Sequence, residues 1–130
     1  MTVLLETRKL LKQFGEFRAV DQVDFRVEEG EVLALIGSNG AGKTTLVNLI
    51  SGLLRADAGQ IVFRGHDVTA QSVHERIGAG IARSFQLVNL FDQLSALDNV
   101  ALAIFSRHGK TRKLWTLAEA DRLWARWRAK

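Results

Sequence analysis

The chain has 130 residues, of which 47% are hydrophobic and 25% are charged, the ordinary balance of one globular domain. Its formal charge of +4 is uneven, because residues 1–105 carry a net −2 and residues 106–130 a net +6. The absence of cysteine excludes disulfides, thiolate zinc sites and cysteine nucleophiles, and the lack of a run of about eighteen apolar residues predicts no membrane-spanning helix.

The first part of the chain predicts two strands, a buried strand and a helix. Residues 3–14 roughly alternate apolar and charged side chains and residues 23–27 alternate strictly, so we expect an antiparallel pair. Residues 32–36 are continuously apolar, which is typical of a strand buried on both faces. From Lys43 onward apolar residues recur at helical spacing, and residues 57–59 predict a turn.

Shorter elements are predicted in the rest of the chain. We expect a strand, a helical turn and another strand at residues 60–64, 72–77 and 81–85. Ser95 is the expected N-cap of a helix that continues to about residue 107, with Asp98 placed as in a capping box. Residues 114–129 resume helical spacing.

Residues 37–44 satisfy the phosphate-binding pattern G-x-x-x-x-G-K-(S/T), between the predicted buried strand and the amphipathic helix. Glycines let successive N–H groups converge on phosphate oxygens, and the helix directs its positive dipole end there. Lys43 would bridge the β- and γ-phosphates, Thr44 would bind Mg²⁺, and Thr45 would reach the α-phosphate. The predicted phosphate-binding residues are Ser38, Asn39, Gly40, Ala41, Gly42, Lys43, Thr44 and Thr45. The alternative is a glycine-rich turn without a ligand.

This motif resembles that of the nucleotide-binding subunits of ABC transporters, whose P-loop usually reads Gly-Pro/Ser-Asn-Gly-Ala-Gly-Lys-Thr-Thr. The resemblance covers residues 4 to about 105 and implies ATP and Mg²⁺ as cofactors. It implies an α/β fold, a P-loop NTPase core with an N-terminal antiparallel β subdomain and a helical region after the Q-loop, here truncated. Residues 1–93 would form the β subdomain and core, and residues 94–130 the start of the helical region.

The resemblance also implies three site residues outside the P-loop. Phe14 would stack on adenine, an interaction worth about 1 to 3 kcal/mol per base, and Val20 would pack beside it. Gln86 would act as the Q-loop glutamine that reaches Mg²⁺ and the attacking water, so that Thr44 and Gln86 are the expected metal-binding residues. The alternatives are an ordinary core aromatic at Phe14 and a strand-end glutamine without a role.

Other segments look most like importers of branched-chain amino acids, namely Phe14-Gly15, residues 78–86, Leu90-Phe91 and residues 94–101. This narrower resemblance implies transmembrane permease subunits and a second ATP-binding subunit as partners. It implies a cytoplasmic protein that is peripheral on the inner face of the cell membrane. Consistent with this, Glu6 interrupts the N-terminal segment where a secretory signal needs apolar residues.

Two parts of the family's hydrolytic machinery are missing from the sequence. There is no Asp-Glu pair, and residues 94–97 lack the glycines of the Leu-Ser-Gly-Gly-Gln signature. We therefore assign no catalytic residue and expect the chain to bind ATP but to lack the catalytic glutamate. His66, His74 and His108 are interpreted as surface or turn residues. We also expect the strand at 32–36 to keep an unpaired edge that promotes association.

Three other functions are compatible with parts of the sequence. A GTPase is excluded because D-x-x-G after the P-loop and N-K-x-D are both absent. A soluble ABC ATPase acting on nucleic acid would suit the basic tail, but it would need large insertions, so no nucleic acid is expected. The third alternative is an inactive nucleotide-binding fragment or a docking module. In a docking module, the tryptophans of residues 115–127 would bind a partner instead of packing on their own domain. The basic tail is more simply explained as a solvated helix face than as a site for phosphates, anionic lipid or an acidic partner.

Overall fold

A computed structural model describes residues 2–85 and 91–107. The chain divides into two compact units, Met1–Ser84 and Phe85–Lys130. Gln86, His108 and the helix predicted at residues 114–129 lie outside the described residues.

The first unit is built on an antiparallel sheet. Strand β1 (Val3–Phe14) pairs with β2 (Phe17–Glu28), from Val3 opposite Glu28 to Phe14 opposite Phe17. On its other edge β1 pairs with β3 (Ala58–Phe63), which pairs with the two-residue β4 (His66–Asp67). In the described residues the strand order is therefore β2-β1-β3-β4. The predicted antiparallel pair is confirmed, although β2 begins earlier than the strictly alternating residues.

Two helices complete the first unit. Helix α1 (Lys43–Ser51) packs Leu46 and Leu49 against the sheet, and α2 (Val73–Ala79) follows β4. The core consists of apolar side chains from the sheet, α1 and the segment after β4: Leu10, Val20, Leu46, Leu49, Ile61, Phe63 and Val68. Helix α2 begins at a capping box, in which the Ser72 hydroxyl accepts from the Glu75 amide while the Glu75 carboxylate accepts from the Ser72 amide.

In the second unit, helix α3 (Ala96–Arg107) begins where the sequence predicts it. The Ser95 hydroxyl accepts a hydrogen bond of 3.1 Å from the Asp98 amide, as expected of an N-cap. The same hydroxyl donates to the Asp98 carboxylate at 2.7 Å, so the capping-box carboxylate is bound to a side chain here instead of to the backbone amide of the cap.

The strands predicted at residues 32–36 and 81–85 are wrong for this structure, since neither segment is a strand. Val32 and Ile36 are 95% and 91% exposed, so the apolar run is not buried. The physical reason is that a strand exists only with a hydrogen-bonded neighbour, and within the described residues no strand pairs with either segment.

Candidate phosphate-binding site

The glycine-rich loop connects the apolar run 32–36 to α1. Gly40 and Gly42 adopt the left-handed conformation, with φ of 84° and 90°, so the loop can turn sharply before the helix. The Ala41 amide donates to the Ser38 carbonyl at 3.2 Å, which closes the turn. Residues 37–41 are exposed, and their backbone groups are accessible to a ligand.

Gly42 holds this loop directly against β2. A Cβ atom at this position would lie 2.1 Å from the Ala19 carbonyl oxygen and 4.0 Å from Val20 Cγ2. Only a glycine fits such an approach of one backbone to another. The first residue of α1 is therefore fixed relative to the N-terminal part of β2.

The N-terminus of α1 has the features of an anion site. Its N-cap, Gly42, has no side chain to cap the helix, and no acidic residue lies in the first turn. The first amides of the helix therefore lack a capping acceptor, and the positive end of the helix dipole is not neutralised. Thr44 in this turn is exposed and Thr45 is half-buried. These residues fit a phosphate group.

Lys43 lies folded over the loop that precedes it. Its ammonium group donates to the Gly37 carbonyl and, at 3.0 Å, to the Ser38 carbonyl. These acceptors place the cation at the loop where the sequence predicts phosphate binding. To bind a phosphate oxygen, the ammonium group would exchange one neutral carbonyl for a charged acceptor, which forms the stronger hydrogen bond.

Phe14 lies at the end of β1, opposite Phe17, and is 48% exposed. Its ring is therefore not buried in the core, so the alternative that Phe14 is an ordinary core aromatic is wrong. The Lys12 ammonium lies 5.4 Å from the ring centroid, within the range of a cation–π contact. Lys12 is itself held at 3.1 Å by the Asp57 carboxylate.

Asp57 connects this end of β1 to the turn before β3. One carboxylate oxygen accepts from the Gln13 amide at 2.8 Å, and the other accepts from Lys12. The Gln13 amide, and after it the Lys12 ammonium, lower the pKa of Asp57 below its usual value. The carboxylate is thus charged at neutral pH and keeps Lys12 next to the Phe14 ring.

Comparison with known proteins places these features in a family. The ABC transporter family model matches residues 20–129. The chain belongs to the ABC transporter family. Its structure agrees, since a nucleotide-free ATP-binding cassette from an ABC transporter covers 95% of this chain with 31% identity and a TM-score of 0.72, and 52% of that structure is matched. The fold predicted from the sequence, the N-terminal portion of a P-loop NTPase core with its antiparallel β subdomain, is confirmed.

Curated relatives in this family have different solutes in their names. The sulfate/thiosulfate import ATP-binding protein of Bordetella pertussis is 43% identical over 108 residues, or 83% of this chain and 30% of that protein. The probable branched-chain amino acid transport ATP-binding protein of Methanocaldococcus jannaschii is 39% identical over 99 residues, or 76% of this chain and 38% of that protein. The chain thus spans about a third of the length of the curated relatives it matches.

In this member of the ABC transporter family, Val20 is buried, whereas His66 and His74 are exposed. Val20 is 3% exposed and packs in the core beside Gly42. Its side chain therefore packs next to the loop and has little exposed surface for a ligand. His66 in β4 and His74 in α2 are exposed, as interpreted from the sequence.

In the described residues no group of three or more His, Cys, Asp or Glu could hold a metal ion. Nor is any described helix long and apolar enough to cross a membrane.

Sequence reasoning missed two arginines that contact α1. Arg76 in α2 is 2% exposed, and its guanidinium group binds carbonyls at the end of α1. Arg83 donates to the Asn48 side chain of α1. A single arginine in a seven-residue helix carries no periodic signal, and hydrophobic patterning assigns it to the surface.

Proposed function

We propose that this chain is the nucleotide-binding part of an ATP-binding subunit of an ABC importer and that residues 37–45 bind the phosphates of ATP. The observation that carries the proposal is the uncapped, acid-free N-terminus of α1, reached through two left-handed glycines with Lys43 folded over the loop. Such a helix start attracts a polyphosphate by its free amides and its dipole.

Each residue of the site would have a defined part. Loop and first-turn amides donate to the phosphates, and Lys43 leaves its carbonyl acceptors to bind the β- and γ-phosphates. The Thr44 hydroxyl would bind Mg²⁺, and the Thr45 hydroxyl would approach the α-phosphate. The role of Gln86 as a further Mg²⁺ ligand stays a prediction from the sequence, because this residue lies outside the described ones. When bound, Mg²⁺ neutralises charge on the phosphate oxygens. The exposed Phe14 ring stacks on adenine, with Val20 packed beneath the loop.

The activity we propose for these 130 residues is binding, without hydrolysis. No Asp-Glu pair occurs in the sequence to supply the catalytic carboxylate that the family uses. Mg²⁺-dependent phosphate release by the full chain that is abolished by Lys43→Ala would contradict this part of the proposal.

Partners and location follow from the family and are part of the proposal. We propose transmembrane permease subunits and a second ATP-binding subunit as partners, at the inner face of the cell membrane. For the solute we propose branched-chain amino acids, because residues 78–86 look most like such importers and the relative of Methanocaldococcus jannaschii bears that name. Sulfate is the competing candidate, favoured by the relative of Bordetella pertussis. Co-purification with the permease subunits of each type would separate the two.

The binding proposal is tested by titrating the full chain with ATP and Mg²⁺ in a calorimeter. Lys43→Ala should weaken binding about tenfold to a hundredfold, since a charge-assisted hydrogen bond is worth about 1.5 to 3 kcal/mol. Arg26→Ala is the matched control, because it removes one positive charge from an exposed position in β2. Equal affinities for the wild type, Lys43→Ala and Arg26→Ala would refute phosphate binding at this loop.

A further inference from the structure

Arg76 is a buried cation whose hydrogen bonds all go to backbone carbonyls. The side chain is 2% exposed, and its guanidinium donates to four carbonyl oxygens, those of Leu49 at 2.5 Å, Ile50 at 2.8 Å, Thr69 at 2.8 Å and Gln71 at 3.2 Å. No described carboxylate forms an ion pair with it. A buried charge is costly unless hydrogen bonds compensate it, and the guanidinium forms four such bonds with its five N–H donors.

Two of these acceptors belong to the last turn of α1. The Leu49 and Ile50 carbonyls lie at the negative end of the helix dipole, and the Leu49 carbonyl also accepts the Gly52 amide at 3.2 Å. The residue after the helix, Gly52, is left-handed with φ of 84°, and a Cβ there would lie 3.1 Å from Arg76 Nε. The C-terminal end of α1 is therefore shaped to receive the guanidinium.

The same short helix carries the phosphate-facing amides at its other end. Helix α1 has nine residues and is thus about 14 Å long. Its start is held by the contact of Gly42 with the Ala19 carbonyl, and its end by Arg76. A further hydrogen bond joins Arg83 to Asn48, from the segment that follows α2. Because the helix is only nine residues long, we expect that releasing its C-terminal end changes the direction of its N-terminal end.

We propose that Arg76 is a positioning residue of the phosphate site, which sets the tilt of α1 so that its first-turn amides and Lys43 meet the phosphates. This inference rests on the proposed ATP binding but assigns a role outside the P-loop. The four acceptors are arranged for a planar guanidinium with several donors. A lysine in the same place has one ammonium group and reaches fewer of them.

The test compares two variants with a control of similar instability. Arg76→Met removes all four hydrogen bonds, whereas Arg76→Lys keeps the charge and part of the bonding. Ile61→Ala is the control, because it opens a cavity in the core next to β3 but removes no hydrogen bond made by α1. For each full-length chain we would measure the melting temperature, the dissociation constant for ATP with Mg²⁺, and amide hydrogen exchange of α1 without nucleotide.

If Arg76 positions the helix, Arg76→Met weakens ATP binding about tenfold, an effect that corresponds to 1.4 kcal/mol, and accelerates exchange of the first-turn amides of α1. Arg76→Lys falls between Arg76→Met and the wild type. Ile61→Ala lowers the melting temperature comparably but leaves the dissociation constant within about twofold. If both Arg76 variants bind ATP as tightly as Ile61→Ala does, the inference is overturned and Arg76 only stabilises the fold.

The experiment distinguishes a failure of the proposed ATP binding from a failure of the role proposed for Arg76. If the wild type and Lys43→Ala bind equally poorly, the proposed function fails, and the exchange data still decide the role of Arg76. Faster exchange at the start of α1 in Arg76→Met than in Ile61→Ala supports the anchoring of the helix, and equal exchange refutes it. Should Arg76→Met fail to fold, Arg76→Lys serves for every comparison.

Discussion

The contact between Gly42 and β2 leads to a prediction with an internal control. Gly40 and Gly42 lie two residues apart in one loop and have nearly the same φ, 84° and 90°. A Cβ at Gly40 would meet nothing within 4 Å, whereas one at Gly42 would lie 2.1 Å from the Ala19 carbonyl oxygen. Alanine substitutions at the two positions therefore share the backbone strain and differ in the clash.

The magnitudes follow from this difference. Placing alanine in the left-handed region costs about 1 to 2 kcal/mol, and the stiffer unfolded chain offsets about 0.4 to 1 kcal/mol, for both variants. In Gly42→Ala the backbones must also separate by about 1.3 Å to reach an ordinary contact of 3.4 Å. Overpacking of this kind typically costs a further 1 to 3 kcal/mol. We expect Gly42→Ala to be less stable than Gly40→Ala by that amount.

Urea unfolding followed by far-UV circular dichroism, without nucleotide, measures the difference directly. The unfolding slopes of the two variants should agree, so that a shift of the midpoint reports stability alone. A difference below about 0.5 kcal/mol, the scatter of ordinary surface substitutions, would show that the loop does not rest on β2. In that case the structural account of the helix start would be wrong.

Three further predictions concern stability and association. The Gln13 amide and the neighbouring lysine lower the pKa of Asp57 below 3.8, so its contribution to stability is present above that pH and is lost as the pH falls below it. An acid titration followed by circular dichroism should show this loss, and Asp57→Asn should lack it. Ser72→Ala should lower the free energy of unfolding by about 1 kcal/mol in urea, whereas Ser72→Thr should retain most of it. The exposed apolar run 32–36 should cause concentration-dependent association in light scattering that Val32→Lys reduces; a monodisperse wild type would contradict this.

The sequence predicts those elements whose signals are local. Strict alternation at residues 23–27 predicts a half-exposed strand, and β2 contains it. The glycine-rich motif with apolar residues at helical spacing predicts a helix from Lys43, and α1 begins there. The cap at Ser95 is also a local signal. Its hydroxyl accepts a hydrogen bond from an amide three residues later in the chain, so no distant residue is needed.

Features that depend on distant residues were not predictable in this way. A continuous apolar run such as residues 32–36 indicates burial, but it identifies no partner, and pairing between strands is decided elsewhere in the chain. The two-residue β4 is too short for any periodicity. The burial of Arg76 depends on four carbonyls supplied by the end of α1 and by residues 69–71, which no pattern around Arg76 encodes.

The candidate phosphate site is stabilised by contacts between α1 and the rest of the first unit, although the segment before the loop pairs with no described strand. Gly42 rests on β2 at the start of α1, while Leu46 and Leu49 pack in the core and Arg76 binds the last carbonyls. Each of these contacts lies on α1 or on its N-cap, and none involves residues 32–36. The orientation of the first-turn amides therefore depends on the sheet and on α2. A substitution in α2 should accordingly alter phosphate binding more than one of equal destabilisation in β3.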